Sequence, residues 1–88
     1  MSLDNIIFID SLPTLDLHGM PSDIAEYRIN EFIHDNIKLK QEFIVIIHGM
    51  GSGILRETTK RTLQKSKKAL EYKSWYHNKG CTLVKLKI

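Results

Sequence analysis

Residues 43–56, which read FIVIIHGMGSGILR, constrain the fold of this chain most strongly. The first five are apolar and mostly β-branched, which is typical of a short strand buried on both faces. His48 follows, and helical spacing begins after three glycines at alternating positions, Gly49, Gly51 and Gly53. A strand, a glycine turn and a helix start in this order point backbone N–H groups at an anion. We therefore expect the functional site at this turn.

Charge is unevenly distributed along the 88 residues. Residues 1–50 carry three basic and eight acidic side chains, whereas residues 51–88 carry ten basic and two acidic ones. This asymmetry indicates a basic surface for a polyanion, with nucleic acid as the first candidate. The simpler interpretation, a solvated lysine-rich face, stays open at this point.

Composition also limits the classes of protein to consider. An ordinary apolar fraction predicts one globular domain, and no apolar run approaches the length of a membrane span. No membrane partner is therefore expected. Cys81 is the single cysteine, so an internal disulfide and a zinc site built on several thiolates are excluded. We expect a reducing, cytoplasmic setting.

Apolar periodicity predicts the remaining elements. Residues 14–19 alternate as a half-buried strand, and helices are expected over about 22–39 and 53–68. Further strands are predicted at 70–76 and 81–88, joined by a turn at 78–80. Residues 1–13 are interpreted as an N-terminal arm or short strand, and residues 14–88 as the domain. The order β-α-β-α-β-β with right-handed crossovers makes the first three strands parallel. It predicts a two-layer α/β sandwich with a mixed four-stranded sheet and one comparatively open sheet face.

One short pattern occurs twice, at Leu17-His18-Gly19-Met20 and at Ile47-His48-Gly49-Met50. In both places it falls at the end of a predicted parallel strand. Open α/β sheets bind ligands at the edge where such strands end. We therefore expect His18 and His48 to approach each other, with Asp16 sharing the strand face of His18.

These residues resemble the Smr (small MutS-related) domain, which carries an LDxH motif on its first strand and an HGxGxGxLR motif after its second. Here the motifs read Leu15-Asp16-Leu17-His18 and His48 to Arg56. The resemblance implies a βαβαββ fold similar to the C-terminal domain of translation initiation factor three. It also implies binding of DNA or RNA, often with nicking or RNA-cleaving endonuclease activity. Such domains commonly occur at the C-terminus of MutS-like ATPases or beside other nucleic-acid modules, so the resemblance implies further domains of a larger parent chain as partners.

The chain departs from the family near its end. A GGxGAT-type loop usually precedes the last strand, and here the sequence reads Asn78-Lys79-Gly80-Cys81-Thr82. Two of the usual glycines are absent. Any substrate contact that this loop makes in the family is therefore not implied for this chain.

Cleavage of a phosphodiester requires proton transfer and stabilisation of the charge that develops on phosphorus oxygens. Histidine carries protons near neutral pH, so His48 is the first candidate general base or acid, with His18 as its partner. Asp16 is predicted to orient a histidine or, as an alternative, to hold a divalent cation; no other cofactor or metal is predicted. Phosphate-binding groups are predicted along the glycine turn and second helix, namely Gly49, Gly51, Gly53, Arg56, Lys60 and Lys67.

Simpler interpretations stand beside each of these roles. Asp16 and His18 are alternatively polar residues that hydrogen-bond a turn, and His48 is alternatively a strand cap. His34 and His77 lie outside both motifs and are interpreted as surface or structural residues. Trp75, Tyr72 and Tyr76 are interpreted chiefly as core, with base stacking as the alternative.

Other glycine-loop proteins are excluded by spacing. A P-loop requires Gly-Lys-Ser/Thr, and residues 49–56 contain no lysine. A dinucleotide fold requires GxGxxG, whereas this turn reads GxGxG. The two motif histidines come from different strands rather than from an HxxxH pair, which argues against a zinc hydrolase. Two hypotheses are favoured: an endonuclease domain, or a non-catalytic nucleic-acid-binding module that targets a larger protein. A protein–protein adaptor is the third.

Overall fold

The computed structural model describes Leu3, Ile9, residues 11–75 and residues 78–88. Within them the elements are β1 Thr14–Asp16, α1 Ser22–Lys38, β2 Phe43–Ile47, α2 Ile54–Lys65, β3 Ala69–Trp75 and β4 Asn78–Leu86. The predicted βαβαββ order and the α/β class are confirmed. Most of the arm or strand predicted at residues 1–13 lies outside the described residues.

The sheet has four strands in the order β1-β2-β4-β3. β1 pairs with β2 in parallel, and β4 lies antiparallel to both β2 and β3. The first three strands therefore run in one direction, as predicted. Pairing of β3 with β4 is interrupted twice, between Ala69 and Glu71 and between Ser74 and Trp75.

The main core fills the space between the two helices and the sheet. Alternate strand residues such as Leu15, Ile44, Ile46 and Val84 face it. From α1, Ala25, Ile29 and Ile33 pack into it. α2 contributes mostly threonines: Thr58, Thr59 and Thr62 are buried beside Leu63. Each of these hydroxyls donates to the carbonyl oxygen four residues earlier in the helix. The thin apolar stripe of α2 is thus completed by threonines whose polar atoms are satisfied inside the helix.

The opposite sheet face carries a second core cluster. Val45, Trp75, Cys81 and Leu83 are buried there, together with Leu3. Ile9 and Leu12 also pack against this cluster. The expected open sheet face is therefore wrong for this part of the sheet, because residues from the N-terminal segment cover it. Cys81 is packed in this cluster as a small buried residue.

Three predicted boundaries are wrong. β1 ends at Asp16 instead of continuing to residue 19, and α2 ends at Lys65 instead of residue 68. The α2 helix stops because Ser66 adopts an extended conformation and its hydroxyl accepts the N–H of Lys68. The predicted turn at 78–80 belongs to β4, because Asn78 already pairs with Trp75 and Gly80 bonds the end of β2. In the described part of the chain, neither helix has the length and apolarity that crossing a membrane requires.

Candidate functional site

A groove of about 490 Å³ lies where β1 and β2 end. One wall is formed by the turn from His18 to Ser22, and the other by the loop from His48 to the start of α2. β1 and β2 are direct neighbours, so the ends of these strands lie side by side. The structure therefore brings the two motif histidines to one groove.

His48 is buried, with 4% of its surface exposed. Its Nδ1 lies 3.0 Å from the carbonyl oxygen of Gly49, and its Nε2 lies 2.9 Å from Oγ1 of Thr82. A carbonyl oxygen only accepts hydrogen bonds, so we assign the proton to Nδ1, and Nε2 then accepts the Thr82 hydroxyl. Both ring nitrogens are thereby satisfied in a neutral imidazole.

The environment of His48 favours this neutral form. Burial lowers the pKa of His48 below its ordinary value of 6.5, and the positive charge of Arg56 acts in the same direction. The hydrogen bond to Gly49 opposes these effects without cancelling them. His48 thus joins the glycine loop to β4. Its Nε2 cannot receive a substrate proton unless the hydrogen bond from Thr82 is broken.

His18 differs from His48 in its exposure. Its side chain is exposed at the groove, and its ring nitrogens have no partner among the described residues. Its backbone N–H donates to Oδ1 of Asp16 at 2.9 Å, which forms a side-chain-closed turn. Gly19 then takes a positive φ of 77°. Asp16 therefore positions the backbone of His18, as the simpler interpretation of this carboxylate requires.

Asp16 and His48 lie on opposite faces of the sheet. Asp16 aligns with Ile47, and Ile47 aligns with Cys81 on β4. Cys81 belongs to the second core cluster, so Asp16 occupies a strand position on that side of the sheet. Burial raises the pKa of the Cys81 thiol, and the negative charge of Asp16 acts in the same direction. His48 instead contacts Thr82 on the helix-covered face. The expectation that Asp16 and His18 share a strand face is wrong, because β1 ends at Asp16 and His18 lies in a turn that the N–H of Met20 closes on the oxygen of Leu17.

The glycine loop is built to present N–H groups. Gly49 and Gly53 have positive φ values of 80° and 88°, which glycine adopts without strain. Among the described residues, the N–H groups of Met50, Gly51, Ser52 and Gly53 have no acceptor.

The start of α2 extends this set of unpaired donors. Among the described residues, the one side-chain contact to these N–H groups is a long one, 3.5 Å from the N of Ile54 to Oγ of Ser52. The first backbone bond of the helix runs from the N–H of Glu57 to the oxygen of Gly53. With the loop, the first turn therefore offers several unpaired donors at the positive end of the helix. Arg56 lines a small cavity of about 140 Å³ with this loop. Together these groups are suited to hold a phosphate.

The predicted lysines separate in the structure. Lys60 lies one helical turn after Arg56, and both line a neighbouring cavity. Lys67 follows the other end of α2, a helix that is about 18 Å long at 1.5 Å per residue. The expectation that Lys67 lies on the second helix with Arg56 and Lys60 is wrong, since the helix ends at Lys65.

The donor set does not fit a resident metal ion. Among the described residues, no three His, Cys, Asp or Glu side chains converge on one point. At this edge of the sheet, Asp16 supplies a single carboxylate, and one of its oxygens already accepts the backbone N–H of His18. No catalytic step is therefore assigned to a metal held by this chain.

Sequence reasoning missed two residues that organise the site. Thr82 holds His48, and the Gly80 carbonyl oxygen accepts the N–H groups of both His48 and Gly49, at 2.9 and 3.1 Å. One signal for Thr82 was available: it is the polar member of an alternating series that continues at Val84 and Leu86. Of the aromatic residues, Trp75 is core, Tyr72 is half-buried, and Tyr76 lies outside the described residues, as does His77. His34 is exposed, as predicted.

Comparison with solved structures places this fold among known ones. The crystal structure of the Smr domain of Thermus thermophilus MutS2 superimposes with a TM-score of 0.84 and 21% identity, covering 88% of this chain and 100% of that chain. YdaL, a stand-alone small MutS-related protein from Escherichia coli, gives a TM-score of 0.78 and 23% identity over 85% of this chain and 64% of its own. At these identities the likeness concerns the fold.

Sequence comparison identifies the family. Endonuclease MutS2 of Lactococcus lactis subsp. cremoris is 37% identical over 60 residues, which is 66% of this chain and 8% of that protein. Endonuclease MutS2 of Streptococcus suis is 32% identical over 76 residues, 83% of this chain and 10% of that protein. This chain therefore spans a tenth or less of the length of these curated relatives. A family model described as the Smr domain matches residues 15–87. Because that match covers most of the sequence, this chain belongs to the Smr domain family.

Proposed function

We propose that this domain binds nucleic acid at the groove between β1 and β2 and cleaves its phosphodiester backbone. One observation carries the proposal: the exposed imidazole of His18 shares a groove with the unpaired N–H groups of the glycine loop. The endonuclease name of the relatives supports the same assignment.

The groups in this groove divide the chemistry between them. The loop N–H groups and Arg56 bind a phosphate and stabilise the charge that grows on its oxygens during attack. His18 exchanges a proton with the attacking or leaving oxygen, because its ring nitrogens are free to reach a ligand. His48 fixes the loop through Gly49, so that the N–H groups are oriented before the substrate arrives. Asp16 sets the turn that carries His18.

The second candidate is a non-catalytic nucleic-acid-binding module. Burial of His48 with both nitrogens satisfied favours it, because only one of the two motif histidines then has a ring nitrogen available. In this case the groove binds a phosphate without cleaving the chain. Cleavage is what separates the two candidates.

A cleavage assay with end-labelled structured RNA and supercoiled DNA tests the proposal. We expect wild-type protein to cleave at least one of them and His18→Ala to lose the activity while still binding. His34→Ala is the matched control, because His34 is an exposed histidine on α1 away from the groove. Parallel reactions with magnesium and with chelator test whether a cation carried by the substrate takes part.

The results of this assay distinguish the endonuclease from the binding module. Intact substrates with wild-type protein, together with retained binding, would establish the binding module instead. Cleavage by His18→Ala at the wild-type rate would remove His18 from the chemistry.

A further inference from the structure

A second cavity, of about 530 Å³, adjoins the proposed phosphate site on the helix-covered face of the sheet. It lies between α2 and the strands β3 and β4, of which β3 is an edge strand and β4 is internal. Its lining includes Gly53, Arg56, Lys60, Tyr72, Ser74 and Thr82. Gly53 and Arg56 also line the small cavity at the glycine loop. A ligand can therefore pass from one cavity to the other without leaving the protein surface.

The walls of this cavity combine an aromatic ring with positive charge. Tyr72 projects to the helix-covered side, because it aligns with the core residue Val84. It is half-buried, packs against the main core and also lines the cavity. Its hydroxyl has no partner among the described residues. Lys60 is exposed at the rim and forms no ion pair within the described part of the chain.

The size and polarity of the cavity select its ligand. Its volume lies within the range of small-molecule pockets, about 300–1,000 Å³. Glu57 also lines it. A carboxylate repels a phosphate but accepts a hydrogen bond from the amino group of a base. An aromatic ring offers a stacking surface to any base. The interior therefore suits a nucleobase, while Arg56 and Lys60 at the rim suit the phosphates on either side of it.

We propose that this cavity binds the unpaired base next to the phosphate held by the glycine loop, so that the domain selects single-stranded or unpaired segments of nucleic acid. The inference rests on the proposed function, since it requires that phosphate to be bound. A base stacked inside a duplex cannot reach Tyr72 without leaving its partner. Selection between single-stranded and duplex substrates thus follows from the cavity, whether or not the groove cleaves.

Fluorescence anisotropy with short labelled single strands of DNA and RNA, and with a duplex of the same length, tests this. We expect wild type to prefer single strands. Tyr72→Leu keeps the apolar packing but removes the ring, and it should weaken single-strand binding about fivefold or more. Tyr72→Phe keeps the ring and should bind like wild type. Lys60→Gln should also weaken binding, whereas its control Arg61→Gln should not, because Arg61 is exposed on the same helix outside the cavity lining.

Each outcome decides one question. Single-strand binding by Tyr72→Leu and Lys60→Gln equal to that of Arg61→Gln would overturn the base site while leaving nucleic-acid binding intact. The base site would also be overturned if pyrophosphate displaced single strands completely and displaced duplex to the same extent. Binding would then depend on phosphate charge alone. No binding of any strand by wild type would overturn both this inference and the proposed function. If Tyr72→Leu melts early, the comparison of Lys60→Gln with Arg61→Gln decides.

Discussion

At the scale of single residues, the hydroxyl of Thr82 is the contact on which the arrangement of His48 depends. Thr82 is 8% exposed and His48 is 4% exposed, so water does not readily replace this hydrogen bond. Thr82→Val keeps the shape of the side chain but leaves Nε2 of His48 without a donor. We expect a loss of about 1–3 kcal/mol in the free energy of unfolding, the usual cost of an unsatisfied buried polar group. Urea denaturation measures it.

Thr82→Ser is the control for that substitution. Serine retains the hydroxyl and removes one methyl group, so most of the stability should return. A valine variant as stable as the serine variant would show that the hydrogen bond contributes nothing.

The lowered pKa of His48 gives stability a definite dependence on pH. In the unfolded chain this histidine titrates near 6.5, whereas in the folded chain it resists protonation. Below about pH 6.5 the unfolded state therefore binds more protons, and folding weakens until the pH reaches the lower folded pKa. We expect the free energy of unfolding of wild type to fall more between about pH 7 and pH 5 than that of His48→Gln. Parallel curves for the two proteins would contradict this.

His34→Gln is the reference for the pH experiment, because it also removes a histidine but from an exposed position. Its stability should follow that of wild type across the same range. The difference between the two glutamine variants then reports the burial of His48 rather than the loss of an imidazole.

Sequence patterns predicted that His18 and His48 meet, because neighbouring parallel strands end at one edge of a sheet. They did not predict which histidine is exposed. That depends on Thr82, which is 34 residues away from His48 in sequence. Thr82 and His48 come into contact only because β4 lies beside β2 instead of at the edge of the sheet. A contact of this kind is set by strand order, which local periodicity does not encode.

At the scale of elements, the loop between β2 and α2 depends on a few backbone conformations. Gly53 immediately precedes α2 and has a φ of 88°. Among the described residues, no atom outside its chain neighbours lies within 4 Å of the position that a Cβ would occupy. Gly53→Ala should therefore cost about 1–2 kcal/mol of unfolding free energy through backbone strain alone. Gly51→Ala is the matched control, since Gly51 has equal space and no positive φ.

Thermal denaturation of the two alanine variants side by side gives the measurement. We expect Gly51→Ala to melt near the wild-type temperature and Gly53→Ala to melt lower. Equal melting temperatures would mean that the loop relaxes to another conformation when Gly53 is replaced.

The ends of the helices and strands were the least predictable part of the fold. Each error in a boundary assigned residues to the wrong element. No proline or glycine stands directly after Lys65, so helical spacing extended α2 to residue 68 and wrongly placed Lys67 on it. Asn78, Lys79 and Gly80 are common in turns, yet the ladder with β3 starts at Asn78. Pairing with neighbouring strands outweighs local turn preference here.

At the scale of the whole molecule, the two helices on one sheet face differ in charge. α1 carries four acidic and two basic side chains, and α2 carries four basic and one acidic. The resulting field draws a polyanion to the α2 side, where the glycine loop and both cavities lie. The overall βαβαββ fold was predictable because strand and helix periods alternate clearly along the chain. The covered outer face was not, since it depends on where the N-terminal segment packs.

Salt dependence measures this electrostatic contribution. For single strands, each phosphate neutralised adds about 0.7 to the slope of log affinity against log salt. Replacing both Arg56 and Lys60 by glutamine should therefore lower the magnitude of the slope by about 1.4. Lys38→Gln, an exposed change on α1, should leave it unaltered. A slope unchanged by the double variant would place the binding surface elsewhere on the molecule.

The two edge strands of the sheet, β1 and β3, affect the tendency of this domain to aggregate at high concentration. β1 has three residues, and β3 has seven but breaks register with β4 at two points. A long regular edge would offer its free N–H and C=O groups to a strand of another molecule, whereas a short or irregular edge offers a poor template. The same breaks that disturb the β3–β4 ladder therefore protect the domain against strand-to-strand aggregation.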